Sequence, residues 1–189
     1  VFKGTRQRTP REIALTLESR GGSLDAYTSR EYTAYQARVL DRDLGIAADV
    51  IYDLVFQPLL RDEDLALERG VILEEIAMVE DTPDDIVFEL HNVQLWGDHP
   101  YAYPILGNRE TVENISGDVL RARHASLYHP GNVVIAAAGN ITHEQVLDAL
   151  RMTGWDEVPA GTGVPTPPPP PEPLPPSEGA VYRESQQPH

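Results

Sequence analysis

The sequence predicts an α+β fold, a mostly antiparallel sheet with helices packed on it. Three observations carry this. The candidate elements run helix, two strands, three helices, strand, helix, which is not the regular alternation of a parallel sheet. Two runs rich in Tyr, Thr and Val, Leu24 to Thr28 and Tyr32 to Leu40, flank Ser29-Arg30-Glu31 and signal a hairpin. Between Leu65 and Val79 the apolar residues recur at helical spacing.

The elements follow in order. Thr9-Pro10-Arg11-Glu12 reads as a helix start, with an N-cap Thr, Pro at the first helical position and an early acid. Gly21-Gly22 stops that helix before the hairpin. A second helix is predicted from Asp41 to Phe56, ending near Gln57-Pro58. A third begins around Arg61-Asp62, is broken or restarted at Thr82-Pro83-Asp84-Asp85, and continues to about Trp96. Gly97 to Gly107 reads as a loop, Ser116-Gly117-Asp118 caps a helix to about Tyr128, and Asn132 to Ala138 is a short apolar strand. Thr142-His143-Glu144-Gln145 opens the last helix, to about Met152. Pro159 to Pro176 is proline-dominated and is expected as an extended linker or surface loop, with a strand-like piece from Ala180 to Glu184. The expected domains are 1–157 as an α/β domain, 158–178 as linker or loop, and 179–189 as the start of a further strand segment.

Composition narrows the function. The 189 residues suffice for one domain with a core, and a 41% hydrophobic content reads as soluble and globular, with a cytoplasmic setting favoured. No apolar run reaches the length of a membrane span, so no membrane partner is expected. The start at Val1 has no signal-peptide architecture, lacks Met, and is expected to lie inside a longer chain. A formal charge of −15 argues against nucleic-acid binding by phosphate neutralisation. The chain has no cysteine, which excludes disulfides, zinc-thiolate sites and cysteine catalysis.

Glu68 and Glu75 are the first candidates for chemistry. At about 100° per residue, seven steps return the chain to nearly the same helix face. That face otherwise holds Leu65, Ile72, Ile76 and Val79, while Glu74 points elsewhere. Two inward carboxylates are therefore expected, and carboxylates are seldom buried unless paired or metal-bound. They read as a metal ligand with a supporting acid, as an acid/base pair, or as partners of arginines on neighbouring elements. The six histidines, His91, His99, His124, His129, His143 and His189, form no H-E-x-x-H or H-x-x-E-H motif and are expected at the surface or at helix caps. Leu24, Asp25, Ala26, Tyr27 and Thr28 read either as an edge that accepts a peptide as an added strand or as an ordinary paired strand.

Several blocks, taken in order, resemble the pitrilysin/insulinase zinc metallopeptidases on their mitochondrial-processing-peptidase-like branch. They are Val1-Phe2-Lys3-Gly4-Thr5, the run from Gly21 to Glu31, the run from Glu68 to Ile76, Pro104-Ile105-Leu106-Gly107, and Tyr128-His129-Pro130-Gly131-Asn132. The resemblance implies one half of a two-domain clamshell and a zinc endopeptidase acting on peptides or presequence-like segments. It implies Zn2+ held by an H-x-x-E-H motif that would lie just before Val1, with Glu75 as third ligand and Glu68 as the supporting acid two turns earlier. It implies that Leu24 to Thr28 takes the peptide as an added strand, although the family usually has Asn where this chain has Asp25. A second homologous domain or subunit is the implied partner. The 189-residue piece alone would be inactive. The alternatives are a non-catalytic structural or substrate-binding subunit of the same fold, or an unrelated acidic interaction module.

Overall fold

A computed structural model of the chain describes residues 1–161 and Pro169. Its elements are α1 (Pro10–Glu18), β1 (Ser23–Thr28), β2 (Thr33–Arg38), α2 (Leu44–Phe56), α3 (Asp62–Asp81), α4 (Pro83–Trp96), α5 (Arg109–Asn114), α6 (Gly117–Leu127) and α7 (His143–Met152). Their described residues fall into two compact units, 1–64 with 116–161, and 65–115. The fold is α+β, helix-rich, with a two-stranded antiparallel sheet.

The first unit is built on α1, α2 and the hairpin. Thr9 and Glu12 cap α1 reciprocally, each side chain meeting the other residue's backbone N–H, and Pro10 occupies its first turn. The helix buries Ile13 and Leu17 against Val50 and Leu54 of α2, with Leu24, Ala37, Val39 and Ile46 packed around them. Gly22 brings the chain so close to β2 that a Cβ there would lie 2.8 Å from the Arg38 carbonyl oxygen. The hairpin runs in register from Ser23 opposite Arg38 to Thr28 opposite Thr33. Its turn is closed by the Ser29 N–H, which donates to Tyr32 O at 2.8 Å. Thr142 and Gln145 form a second capping box on α7. Trp155 then closes on Tyr52 and Phe56, with ring centres 6.0 and 5.2 Å apart.

The second unit contains the body of α3, then α4 and α5. Pro83 at the start of α4 and Thr82 before it account for the break between the two long helices. Ile76 of α3 and Val112 of α5 are buried. The Arg69 guanidinium donates to Val112 O at 3.1 Å and Ile115 O at 2.7 Å, fixing the end of α5. Trp96, His99 and Tyr101 form a ring cluster, with Trp96 and Tyr101 centred 5.1 Å apart.

Two expectations are corrected. Asn132 to Ala138 forms no strand among the described residues, and Val134 is 95% exposed. An apolar β-branched run supplies the tendency to extend, but a strand exists only when another backbone pairs with it. The sheet is accordingly smaller than predicted. The six-residue α5, capped by Asn108, was not predicted because it is too short for a periodic signal. The proline tract from Pro159 to Pro176 lies outside the described residues except for 159–161 and Pro169, and Ala180 to Glu184 lies wholly outside them.

Candidate functional site

Helix α3 carries the predicted carboxylates. Its buried side is set by Ile76, with Leu65, Ile72 and Val79 half-buried beside it. Glu68 is half-buried there, but Glu75 is exposed, as is Glu74. The expectation that both acids point inward therefore holds for Glu68 only in part and fails for Glu75. The cause is angular: at about 100° per residue, Glu75 lies on the border of the buried stripe, roughly 100° from Ile76. Beyond it come Leu67, Val71 and Met78, which are 69%, 46% and 68% exposed. The helix is apolar over about half its circumference, with Glu68 and Glu75 in the middle of that arc. One side of the arc is packed and the other uncovered among the described residues. Glu75 makes no hydrogen bond or ion pair within them.

Zinc takes three or four protein ligands. No group of three or more His, Asp or Glu able to hold a metal occurs among the described residues. The described part of the chain does not fit a complete zinc centre by itself.

The hairpin has the predicted form. Among the described residues β1 pairs only with β2, so its other edge is open. Leu24 and Ala26 are half-buried, whereas Ser23, Asp25 and Tyr27 face solvent. Asp25 Oδ1 accepts the Ala26 N–H at 2.8 Å. Tyr27 and Tyr32 meet edge to face, 6.0 Å between centres.

Two features escape the sequence reading. Asp53 is fully buried in α2 and accepts from the Thr5 hydroxyl and, at 2.9 Å, from Arg8 Nη1, while Arg8 Nη2 donates to Asp49. Burial alone would lower the Arg8 pKa, but its hydrogen bonds to Asp49 and Asp53 outweigh this and raise it. A carboxylate four residues from another on an apolar helix was the available signal. His129 is also buried, at 4% exposed, rather than at the surface; it sits at the N-cap position of the short 3-10 turn Pro130–Asn132, but its side chain makes no capping bond and neither ring nitrogen is partnered in the described structure. His99 does cap, its Nδ1 accepting the Tyr101 N–H at 3.3 Å.

The comparisons with known proteins bear on the family and the fold. The family described as Insulinase (Peptidase family M16) matches residues 1–109, and the Peptidase M16 inactive domain matches 114–189. An uncharacterised zinc protease of Streptomyces coelicolor is 43% identical over 151 residues, 80% of this chain and 33% of that protein. The uncharacterised zinc protease YmxG of Bacillus subtilis is 42% identical over 153 residues, 81% of this chain and 37% of that protein. A protease of Helicobacter pylori superposes with a TM-score of 0.81 at 19% identity, over 88% of this chain and 41% of that one. The chain thus spans about a third of the length of the curated relatives it matches. Fold and relatives define an α+β domain similar to parts of proteins named zinc proteases. The chain belongs to peptidase family M16, the insulinase family.

Proposed function

We propose that the chain is part of a zinc endopeptidase domain in which Glu75 binds the metal and Glu68 supports it from behind. An extended peptide would lie along the open edge of β1, Leu24 to Thr28. The observation that carries the reading is α3: two acids lie in the middle of a wide apolar arc, and the one nearer the uncovered side, Glu75, has no hydrogen-bond or ion-pair partner among the described residues. A lone carboxylate set in apolar surface is what a metal site contributes, and the other ligands then come from outside the described residues. Relatives named as zinc proteases support the class of activity. Residues 1–157 would form the peptidase domain, 158–178 a linker or loop, and 179–189 the start of a further segment. A second homologous domain or subunit would complete the protein, in keeping with the share of its relatives that the chain spans.

The test uses the full-length protein. Glu75→Gln should lose zinc and peptidase activity together, measured by atomic absorption and peptide cleavage, while Glu74→Gln keeps both. If Glu74→Gln removes zinc instead, the ligand assignment is wrong.

A second reading has its own support, because the part from 114 onward matches a domain described as inactive. A non-catalytic subunit that keeps the fold would bind the peptide edge-on yet contain no zinc. Wild-type metal content separates the two.

A further inference from the structure

The hairpin is tied to the rest of its unit by a set of rings that the zinc site does not use. Tyr35 lies on β2 directly opposite Ala26, the middle residue of the β1 edge. The Tyr35 ring is half-buried. That ring meets Tyr128 edge to face at 6.4 Å, and the two hydroxyls are 3.3 Å apart. Tyr128 in turn stacks on His124, with 4.2 Å between centres and 17° between planes. His124 Nε2 lies 2.9 Å from Val55 O. A carbonyl only accepts, so His124 carries a proton on Nε2. Val55 is in the last turn of α2, where carbonyls lack helical partners, and the imidazole satisfies one of them. A continuous line of contacts thus runs from the C-terminal turn of α2, through α6 and its cap, to the strand beneath Ala26. Burial and the Tyr128 hydroxyl both raise the Tyr35 phenol well above its ordinary pKa, so it stays neutral.

We propose that Tyr35, Tyr128 and His124 are positioning residues that hold β1 straight and in place, and so set the affinity of its open edge for an extended peptide. The proposal rests on the reading of β1 as the peptide-binding edge. The physical reason is preorganisation. Strand addition needs successive backbone groups of β1 aligned at once, and any sway of a two-stranded hairpin must be frozen out on binding.

The experiment measures binding of a fluorescein-labelled Thr/Val decapeptide to the full-length protein by anisotropy, beside the same peptide N-methylated at alternate backbone nitrogens. Wild type should prefer the unmethylated peptide. Tyr35→Phe and Tyr128→Phe each remove one oxygen and keep the ring. Each should weaken binding measurably, by about threefold and by no more than about tenfold, since one hydrogen bond is the most that this preorganisation can contribute. Because the two hydroxyls share that bond, the double variant should be no weaker than either single one. Hydrogen exchange at the β2 amides should quicken in step. Wild-type affinity in both single variants, or losses that multiply in the double variant, would overturn the relay while leaving the edge intact. Equal binding of both peptides by wild type would remove the edge reading, and the proposal with it.

Discussion

Asp53 illustrates how much one side chain can decide. Its side chain is 1% exposed, so its charge has no water to fall back on, while that of its partner Arg8 is 16% exposed. Asp53→Ala would take one of two carboxylate partners from Arg8, which keeps Asp49, and the shorter of two acceptors from the Thr5 hydroxyl. The expected cost is about 1–3 kcal/mol, measured by urea unfolding. Arg151 and Asp148, both more than half exposed, mark the other limit, and Asp148→Ala should cost below about 1 kcal/mol. His124 makes stability depend on pH. Burial lowers its pKa from 6.5, with the Val55 hydrogen bond opposing. As pH falls below 6.5 the unfolded imidazole takes a proton before the folded one does. The stability held at neutral pH is therefore lost as the medium is acidified through that window. Thermal unfolding between pH 7.5 and 5.5 should show the midpoint falling, and falling less in His124→Asn.

At the scale of elements, helix starts were the most legible feature. The Thr9–Glu12 box, Ser116 before α6 and the Thr142–Gln145 box all lie where the sequence places them. Caps are local chemistry, settled within four residues, and tertiary context seldom overrides them. Thr9→Ala should cost about 1 kcal/mol in chemical denaturation, because α1 presents Ile13 and Leu17 to the core and its first turn would fray. The hairpin was legible for the same reason: turn chemistry at Ser29 and alternation on either side are short-range signals. The segment from Asn132 to Ala138 was not. Its composition is that of a strand, yet pairing is a long-range event that composition does not encode.

For the whole molecule, net charge and the lack of a complete metal cluster among the described residues are the governing facts. A net charge of −15 leaves nucleic acid an unfavoured partner, and no helix among the described residues is long and apolar enough to cross a membrane. The 189-residue chain brings no three metal-binding side chains together among its described residues. Zinc titration of this chain should show no stoichiometric uptake at nanomolar metal, read by a competing chromophoric chelator. Tight one-to-one binding would mean that the remaining ligands lie within the chain after all.

The sequence by itself determined the family, the α+β class, the caps and the hairpin, and it singled out Glu68 and Glu75. Each of these is written in residue type and short spacing, which survive without knowledge of what packs against what. Only the tertiary structure decided that Glu75 is exposed while Glu68 is half-buried, that Asp53 and His129 are buried, and that the run after Asn132 has no strand partner among the described residues. Those outcomes depend on which neighbour covers which face. A helical wheel locates a side chain to within tens of degrees, but the buried border of α3 falls between Glu68 and Glu75 because of where Ile76 finds its packing.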